Sequence, residues 1–268
     1  MFDRITIAGL GIVGSAVQAY LNGTGLAAQA YDPPKGLKDA SVLKKADIVF
    51  ITVPTPYTEN GFDLRYVNEV VHRIGDNAIV VIKSTVLPGT TDAYQRQHPN
   101  LKMMFSPEFL TEKTATHDFS HPTRQIVGYT EVSRDVAPKV LDLLPPAPYR
   151  ATMRAAEAEM IKYMNNVFYA LKVTYANQLY DLCEAMGIDY NLVVEGATSS
   201  EPMMGQNHWD VMFGGYRGYD GKCLPKDVRA LIQFGTEHHI DISLLEKIEE
   251  LNNRRMAGKD MKSPGSAL

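Results

Sequence analysis

The chain has 268 residues, 45% of them hydrophobic, which is enough for one large domain or two modest ones. Its 27 basic and 31 acidic side chains give a net charge of −4, which argues against nucleic acid as an electrostatic partner. Two cysteines are too few for a disulfide framework, and no run of ~18 apolar residues occurs. We therefore expect a cytoplasmic protein with no membrane span.

The first half of the chain alternates short apolar runs with helical patterns. Strands are predicted at residues 5–8, 27–31, 48–51, 78–82, 102–105 and 125–127. Helical spacing fills the gaps, as at Val67, Val70, Val71 and Ile74. This alternation predicts an α/β fold with a mostly parallel, doubly wound sheet of the Rossmann type, in a domain at residues 1–150.

The pattern changes after residues 145–148, where three prolines predict a linker or a rigid turn. Residues 155–186 contain neither Pro nor Gly and repeat apolar side chains at helical spacing. They predict one helix roughly 45 Å long, at ~1.5 Å per residue. Further helices are predicted at 190–198, 226–238 and 242–257. The sequence thus predicts an all-α domain around one long central helix at residues 151–258, and a disordered tail at 259–268.

A glycine-rich turn between the first strand and its helix predicts a dinucleotide site. Gly9 permits the tight turn, Gly11 lets the backbone approach a pyrophosphate, and Gly14 allows the helix to pack closely. The helix N-terminus, with Ile12 and Val13 inside the motif, then faces the negative charge.

The residue that ends the second strand indicates which dinucleotide binds. Asp32 is placed to bind ribose hydroxyls and to repel a 2′-phosphate, so NAD is favoured over NADP. Lys35 lies nearby and weakens that preference. The alternative is that the glycines serve only a tight turn.

The two cysteines are predicted to play different parts. Cys223 precedes a helix start, where the helix dipole and the charge of Lys226 favour the nucleophilic thiolate. The alternative for such a residue is a small buried hydrophobe. Cys183 shares a helix face with Leu179 and Met186, so it is predicted to pack in the core.

Five further runs, in this order and at this spacing, resemble the UDP-glucose/GDP-mannose dehydrogenase family. They are residues 53–56, 83–91, 106–112, 158–166 and 223–227. The resemblance covers residues 4–255. It implies an NAD-binding Rossmann-type domain, a helical domain and a homodimer that pairs through the long helix.

The family oxidises the 6-hydroxyl of a nucleotide sugar to a carboxylate with two NAD and one water, and UDP-glucose is the expected substrate. The resemblance implies that Cys223 adds to the intermediate aldehyde and gives a thiohemiacetal. A second hydride transfer leaves a thioester, which water hydrolyses. Lys162 and Asn166, at i and i+4, would hold the sugar oxygen as it gains charge. Asp227 would assist proton movement to a water.

The resemblance also implies roles for the loops after the strands. Glu112, with Thr85, is similar to the family's water-activating group, and Glu108 to a supporting carboxylate. Cofactor contacts are implied for Pro54, Thr55, Thr85, Glu112 and Lys226, and substrate contacts for Glu108, Phe109, Leu110, Lys162, Asn166, Tyr219, Gly221 and Cys223. No metal is expected.

The chain departs from the family pattern in four places. The connection after Asp32 is short, Asp220 replaces a glycine before Cys223, and an arginine is lacking around residues 202–205. The sequence shows no counterpart of the family's C-terminal α/β domain, which is either lost, supplied by another chain or cut away. Recognition of the nucleotide base by this chain alone is therefore expected to be incomplete.

Two other functions remain open on sequence grounds. One is a two-electron β-hydroxyacid dehydrogenase, which shares the Rossmann-plus-helical layout and also uses a helical lysine. The other is a non-catalytic NAD or sugar-nucleotide binding protein. Cys223 separates the first alternative from the main hypothesis, because a two-electron enzyme needs no thiol.

Overall fold

The computed structural model describes residues 2–199, 205, 207–212, 215–221 and 223–257. The chain divides into two compact units, Met1–Lys162 and Tyr163–Leu268. This boundary lies later than the predicted one at residue 150, because a strand and the first turns of the long helix pack with the sheet. The predicted tail at 259–268 lies outside the described residues.

The first unit is built on a seven-stranded sheet in the order β2-β1-β3-β6-β7-β8-β9. Its strands are β1 Ile5–Ala8, β2 Ala28–Tyr31, β3 Ile48–Ile51, β6 Ile79–Ile82, β7 Lys102–Phe105, β8 Arg124–Tyr129 and β9 Tyr149–Arg154, while β4 Tyr57–Thr58 and β5 Gly61–Phe62 form a separate antiparallel pair. Only the β7–β8 pairing in the large sheet is antiparallel. The predicted Rossmann-type fold is confirmed.

Six helices belong wholly to the first unit. They are α1 Ile12–Gly23, α2 Ser41–Lys44, α3 Arg65–Val71, α4 Thr90–Gln97, α5 Ala115–Ser120 and α6 Ala137–Leu143, and short 3-10 helices span Pro33–Lys35 and Glu112–Thr114. The central strands β1, β3 and β6 are buried along their whole length, because helices cover both faces of a parallel sheet. Val49 and Val80 pack into one core, and their neighbours Phe50 and Val81 pack into the opposite one.

The edge strand β9, which follows the linker or rigid turn predicted at residues 145–148, was missed by the sequence prediction. Its residues Tyr149–Arg154 are mostly polar, and none of them is fully buried. An edge strand with one free side needs few apolar residues, so it leaves a weak periodic signal.

Among the described residues of the second unit, the regular elements are all helices. Helix α7 spans Ala155–Met186, as predicted, and so begins in the first unit; α8 Tyr190–Thr198, α9 Leu224–Glu237 and α10 Ser243–Ala257 follow. One small core joins Val167 of α7 to Val228 of α9 and Ile248 of α10. In the described part of the chain, no helix combines the length and apolar character that a bilayer span needs.

A buried carboxylate ties the start of α7 to the start of α4 within the first unit. Glu159 is fully buried and accepts hydrogen bonds from the Gly89 amide (2.6 Å), the Thr91 amide (2.9 Å) and the Thr91 hydroxyl (2.6 Å). Burial raises the pKa of Glu159 from 4.5 to about 7, although these hydrogen bonds oppose the shift.

The raised pKa makes stability depend on pH. A carboxyl group whose pKa is higher in the folded state contributes its full stability below pH 4.5 and loses it as the pH rises to about 7. Relative to Glu159→Gln, the wild-type free energy of unfolding should therefore fall by about 3 kcal/mol between these pH values. Urea unfolding at several pH values measures this difference.

Glu157→Gln provides the matched control, because this carboxylate lies two residues earlier and is exposed. Its pH profile should follow that of the wild type. Parallel profiles for Glu159→Gln and the wild type would show that Glu159 does not titrate in this range.

Candidate active site

One edge of the sheet gathers the loops predicted to bind the cofactor. Strands β1, β3, β6 and β7 run parallel, so their carboxyl ends meet at the same edge. The chain moves from β1 to β2 on one side and reaches β3 on the other, which creates the crevice where parallel α/β sheets bind ligands. The glycine loop follows β1, Thr55 follows β3, Thr85 follows β6 and Glu108 follows β7.

The glycine loop has the geometry that a pyrophosphate needs. Gly9 has φ +92, and a Cβ there would lie 2.9 Å from the Thr52 carbonyl oxygen. A Cβ on Gly14 would lie 1.9 Å from the Gly9 carbonyl oxygen, so α1 can start this close to the turn only with glycine. A Cβ on Gly11 would meet nothing within 4 Å, which leaves the backbone open to an approaching ligand.

The start of α1 is suited to bind an anion. The N-cap residue, Gly11, offers no side-chain oxygen to the first amides of the helix, which include those of Ile12 and Val13. Unsatisfied amides and the helix dipole together favour a phosphate at this position. The loop therefore fits the diphosphate of a dinucleotide.

Asp32 and Lys35 are both bound to the glycine loop. The Asp32 carboxylate, 8% exposed, accepts from the Leu10 amide (2.7 Å) and the Lys35 amide (3.3 Å). The Lys35 ammonium donates to the Leu10 carbonyl oxygen (2.5 Å). This arrangement supports the predicted preference for NAD, because the Asp32 carboxylate lies at the glycine loop and the Lys35 ammonium is engaged by the Leu10 carbonyl oxygen.

The other predicted cofactor residues differ in exposure. Thr55 is buried, Pro54 is exposed, and Thr85 is half-buried directly after β6. Glu112 is exposed in the 3-10 helix after β7, the neighbouring strand. Thr85 and Glu112 thus follow adjacent strands at the same edge of the sheet.

Glu108 is held by two lysines in the first unit. Its carboxylate pairs with the Lys83 ammonium at 3.2 Å, and its backbone carbonyl accepts from the Lys162 ammonium at 2.5 Å. The structure therefore brings Glu108 and Lys162 together. Lys83 was not predicted as a site residue; its side chain is 1% exposed and also donates to the Ser106 hydroxyl (3.2 Å). The signal in the sequence that could have pointed to Lys83 is its position directly after an all-apolar strand.

A cavity of about 180 Å³ opens beside Glu108. Phe109 and Leu110, which were predicted to contact the substrate, line it together with His117 and Arg124. The Arg124 guanidinium stacks on the Phe109 ring at 3.8 Å, which fixes one wall of the cavity.

In the second unit, Cys223 is exposed and is the N-cap residue of α9, with Pro225 in the first turn. The preceding loop takes positive φ at Gly218 (+107) and Gly221 (+87), a path that side-chain-bearing residues rarely adopt. The structure thus places Cys223 at a helix start, open to ligands, while Cys183 is buried beside Leu179.

A buried polar cluster lies one turn further along α9. Asp227 is fully buried and accepts a hydrogen bond from the Asn166 side-chain amide of α7. Its other carboxylate oxygen pairs with the Lys226 ammonium at 2.7 Å. The structure therefore brings Asn166 and Asp227 together. The Lys226 ammonium pairs with Asp227, whereas the sequence predicted that its charge would act on the Cys223 thiol.

Tyr219, predicted as a substrate contact, has a buried side chain. Its side chain is 3% exposed and packs in the core of the second unit with Val167 and Val228. The phenol therefore supports the loop from inside. Asn252, which was not predicted, bonds to both backbone polar groups of Tyr219. The segment around residues 202–205, where the family's arginine is lacking, lies largely outside the described residues.

Two models of the UDP-glucose/GDP-mannose dehydrogenase family match the chain. The NAD binding domain matches residues 36–141, and the central domain matches residues 156–254. A UDP-glucose 6-dehydrogenase of Rickettsia felis is 32% identical over 224 residues, which cover 80% of this chain and 49% of the relative. The chain spans about half the length of the curated relatives it matches. The predicted cofactor, NAD, is confirmed by the NAD binding domain match.

Solved structures share the fold. A UDP-glucose dehydrogenase from Pyrobaculum islandicum has a TM-score of 0.80 at 27% identity and covers 95% of this chain and 68% of its own. A 3-hydroxyisobutyrate dehydrogenase of Mycobacterium tuberculosis has a TM-score of 0.74 at 17% identity and covers 97% and 95%. The second likeness shows a common fold alone.

The position of Asp32 gives a testable cofactor preference. A carboxylate that faces a 2′-phosphate is a like-charge clash, so wild type should bind NAD at least ~10-fold more tightly than NADP, or about 1.4 kcal/mol. Asp32→Asn should narrow the difference, and Asp39→Asn, an exposed carboxylate further along, should not change it. Titration calorimetry with each cofactor measures the two dissociation constants. Equal dissociation constants of the wild type for NAD and NADP would show that the charge of Lys35 outweighs that of Asp32.

Proposed function

The chain belongs to the UDP-glucose/GDP-mannose dehydrogenase family, and we propose that it oxidises the C6 hydroxyl of a nucleotide sugar to the carboxylate with NAD. The observation that carries the proposal is the exposed thiol of Cys223 at the N-cap of α9, one turn before the buried carboxylate of Asp227. A two-electron alcohol oxidation has no use for such a thiol, whereas a four-electron oxidation can proceed through a covalent thioester.

Cys223 makes the second oxidation feasible. When bound, NAD accepts the hydride from the sugar carbon in each of the two oxidations. Between them, the thiolate adds to the C6 aldehyde and gives a thiohemiacetal, which still carries a hydrogen on that carbon. Loss of this hydrogen as hydride leaves a thioester on Cys223. Water then cleaves the thioester, releases the carboxylate and restores the thiol.

Lys162 and Asn166 are proposed to hold the sugar oxygen as it gains negative charge. They lie four residues apart on α7, so their side chains share one face of the helix. An ammonium and an amide that are already oriented stabilise an oxyanion without the cost of reorganising water. The Asn166 amide is fixed by its bond to Asp227, which supports such an orientation.

Carboxylates serve the proton transfers in this proposal. Glu112 activates the water that attacks the thioester, with Thr85 beside it, and Glu108 supports the site from the next loop. The Glu108 carboxylate pairs with the enclosed Lys83 ammonium, which holds it in place. Asp227, enclosed beside Asn166, assists proton movement near the thiol.

UDP-glucose is the proposed substrate. The relative from Rickettsia felis and another from Pseudomonas aeruginosa, 34% identical over 237 residues, are both named UDP-glucose 6-dehydrogenase. Phe109 and Leu110, beside Glu108, line the cavity proposed to receive part of the substrate. A cytoplasmic location accords with two free thiols.

Two alternatives make different predictions for the same assay. A two-electron β-hydroxyacid dehydrogenase, whose fold the chain shares, yields one NADH per substrate and needs no thiol. A non-catalytic binding protein binds NAD and produces no NADH. Exposure of Cys223 favours the four-electron reaction over both, because a thiol with only a packing role is usually buried.

The stoichiometry tests the role of Cys223. Wild type with UDP-glucose and NAD should yield two NADH for each sugar oxidised, with a carboxylate product identified by mass spectrometry. Cys223→Ala should lower turnover on the order of 10³-fold or more, because the covalent intermediate cannot form. Cys183→Ala, which removes the buried thiol, should keep turnover within a few-fold.

Full four-electron turnover by Cys223→Ala would refute the thioester route. A single NADH per substrate would favour the two-electron alternative, and cofactor binding without NADH production would favour the binding protein.

We also propose that the chain forms a homodimer through α7. The described part of α7 leaves a stripe of large apolar side chains exposed: Met164 (72%), Phe168 (54%), Tyr175 (49%), Leu182 (60%) and Met186 (72%). Their spacing of four and seven residues places them on one face of the helix. A continuous apolar stripe of this kind is typical of a face that packs against another subunit.

Dimerisation can be tested by placing a charge on this stripe. Leu182→Glu should convert a dimer into a monomer at micromolar concentration in light scattering, because the carboxylate would be buried without a partner. Glu184→Lys, an exposed position two residues on and therefore on another face of α7, should remain dimeric. A monomeric wild type would contradict the proposal.

A further inference from the structure

We propose that Asn252 is a positioning residue that holds the loop before Cys223, an inference that rests on the proposed role of Cys223 as nucleophile. Asn252 lies on α10 and is 5% exposed. Asn252 lies 33 residues after Tyr219 in sequence, yet its side chain forms hydrogen bonds with both the backbone amide and the backbone carbonyl of Tyr219.

The two hydrogen bonds satisfy both backbone polar groups of Tyr219. The Tyr219 amide donates to the Asn252 side-chain oxygen (2.8 Å), and the Asn252 side-chain nitrogen donates to the Tyr219 carbonyl oxygen (2.9 Å). A carboxamide offers a donor and an acceptor side by side, as this arrangement requires. Both groups are buried, so the loss of either bond leaves a polar atom without water.

The loop is shaped to accept this side chain. Gly218 has φ +107, and a Cβ there would lie 2.7 Å from the Asn252 side-chain oxygen. Glycine at 218 therefore serves both the turn and the approach of Asn252.

A second contact fixes the loop to the helix that Cys223 begins. The Tyr219 hydroxyl donates to Glu249 on α10 (3.1 Å), and Glu249 pairs with Arg229 on α9 (2.6 Å). Helix α10 thus holds the loop through Asn252 and holds α9 through Glu249. The thiol lies between these two points in sequence, so its position depends on both.

Helix position matters for the reactivity of the thiol. A cysteine at the N-cap attacks faster when the helix dipole favours its anion, and this effect falls off within one turn. Release of the loop would let Cys223 leave the end of α9, so both alkylation and catalysis should slow.

Two substitutions at Asn252 test this inference, with Asn253 as the matched control. Asn252→Leu loses both hydrogen bonds, whereas Asn252→Asp keeps an acceptor for the Tyr219 amide. Asn253 is the next residue and is exposed; its side-chain amide donates to Glu249, so Asn253→Leu removes a contact of Glu249 but leaves both Asn252–Tyr219 hydrogen bonds in place. Iodoacetamide alkylation of Cys223, read by peptide mass spectrometry, separates it from Cys183.

We expect Asn252→Leu to slow alkylation of Cys223 about fivefold and kcat with UDP-glucose about fiftyfold, with the dissociation constant for NAD unchanged. Asn252→Asp should lie between this variant and wild type, and Asn253→Leu should match wild type. A folded Asn252→Leu with wild-type alkylation and kcat, or an equal loss in Asn253→Leu, would overturn the inference.

The alkylation rates do not depend on turnover. An inactive wild type would refute the proposed function, while the order of alkylation rates still decides whether Asn252 holds the loop. If Asn252→Leu fails to fold, Asn252→Asp decides the question: a rate equal to wild type contradicts the inference, and a lower one supports it.

Discussion

The buried ammonium of Lys83 organises the edge of the first unit where the proposed site lies. It pairs with Glu108 and donates to Ser106, so it holds both ends of the turn that follows β7. Loss of one partner from a buried ion pair costs about 3–5 kcal/mol, because the other charge is left without compensation. Glu108, its contact with Lys162 and the adjoining cavity wall all lie on this turn, so each depends on a lysine that has no direct part in the proposed chemistry.

Helix α7 is fixed in a similar way, by buried carboxylates and their hydrogen-bond donors. Glu159, in its first turns, accepts three hydrogen bonds from the start of α4, and Asn166, further along, donates to Asp227 on α9. In each unit a buried carboxylate and its donors fix the helix that carries proposed catalytic groups. Buried polar groups that keep their hydrogen-bond partners favour one position of the helix, since any shift of the helix leaves a buried polar group without its partner. The long helix is thus anchored at the positions that flank Lys162.

Sequence reasoning succeeded where the signal is local. Apolar runs predicted the buried strands β1, β3 and β6, and the absence of Pro and Gly predicted α7 at its observed bounds. It failed where a contact joins distant residues: Asn252 meets Tyr219 across 33 positions, and Lys83 meets Glu108 across 25. The inward direction of Tyr219 was also hidden, because periodicity is lost in an irregular loop. Local patterns predict elements, and only tertiary packing decides which side chains support a site.

The contrast between the two thiols bears on how this protein meets oxidants. Cys223 is exposed, while Cys183 is enclosed with Tyr190 and Trp209. Peroxide reacts first with accessible thiolates and forms a sulfenic acid, which a second thiol can capture as a disulfide. Cys183 is buried and so offers no accessible thiol for this capture. The exposure proposed to let Cys223 meet an aldehyde therefore also opens it to irreversible overoxidation when no other thiol is at hand.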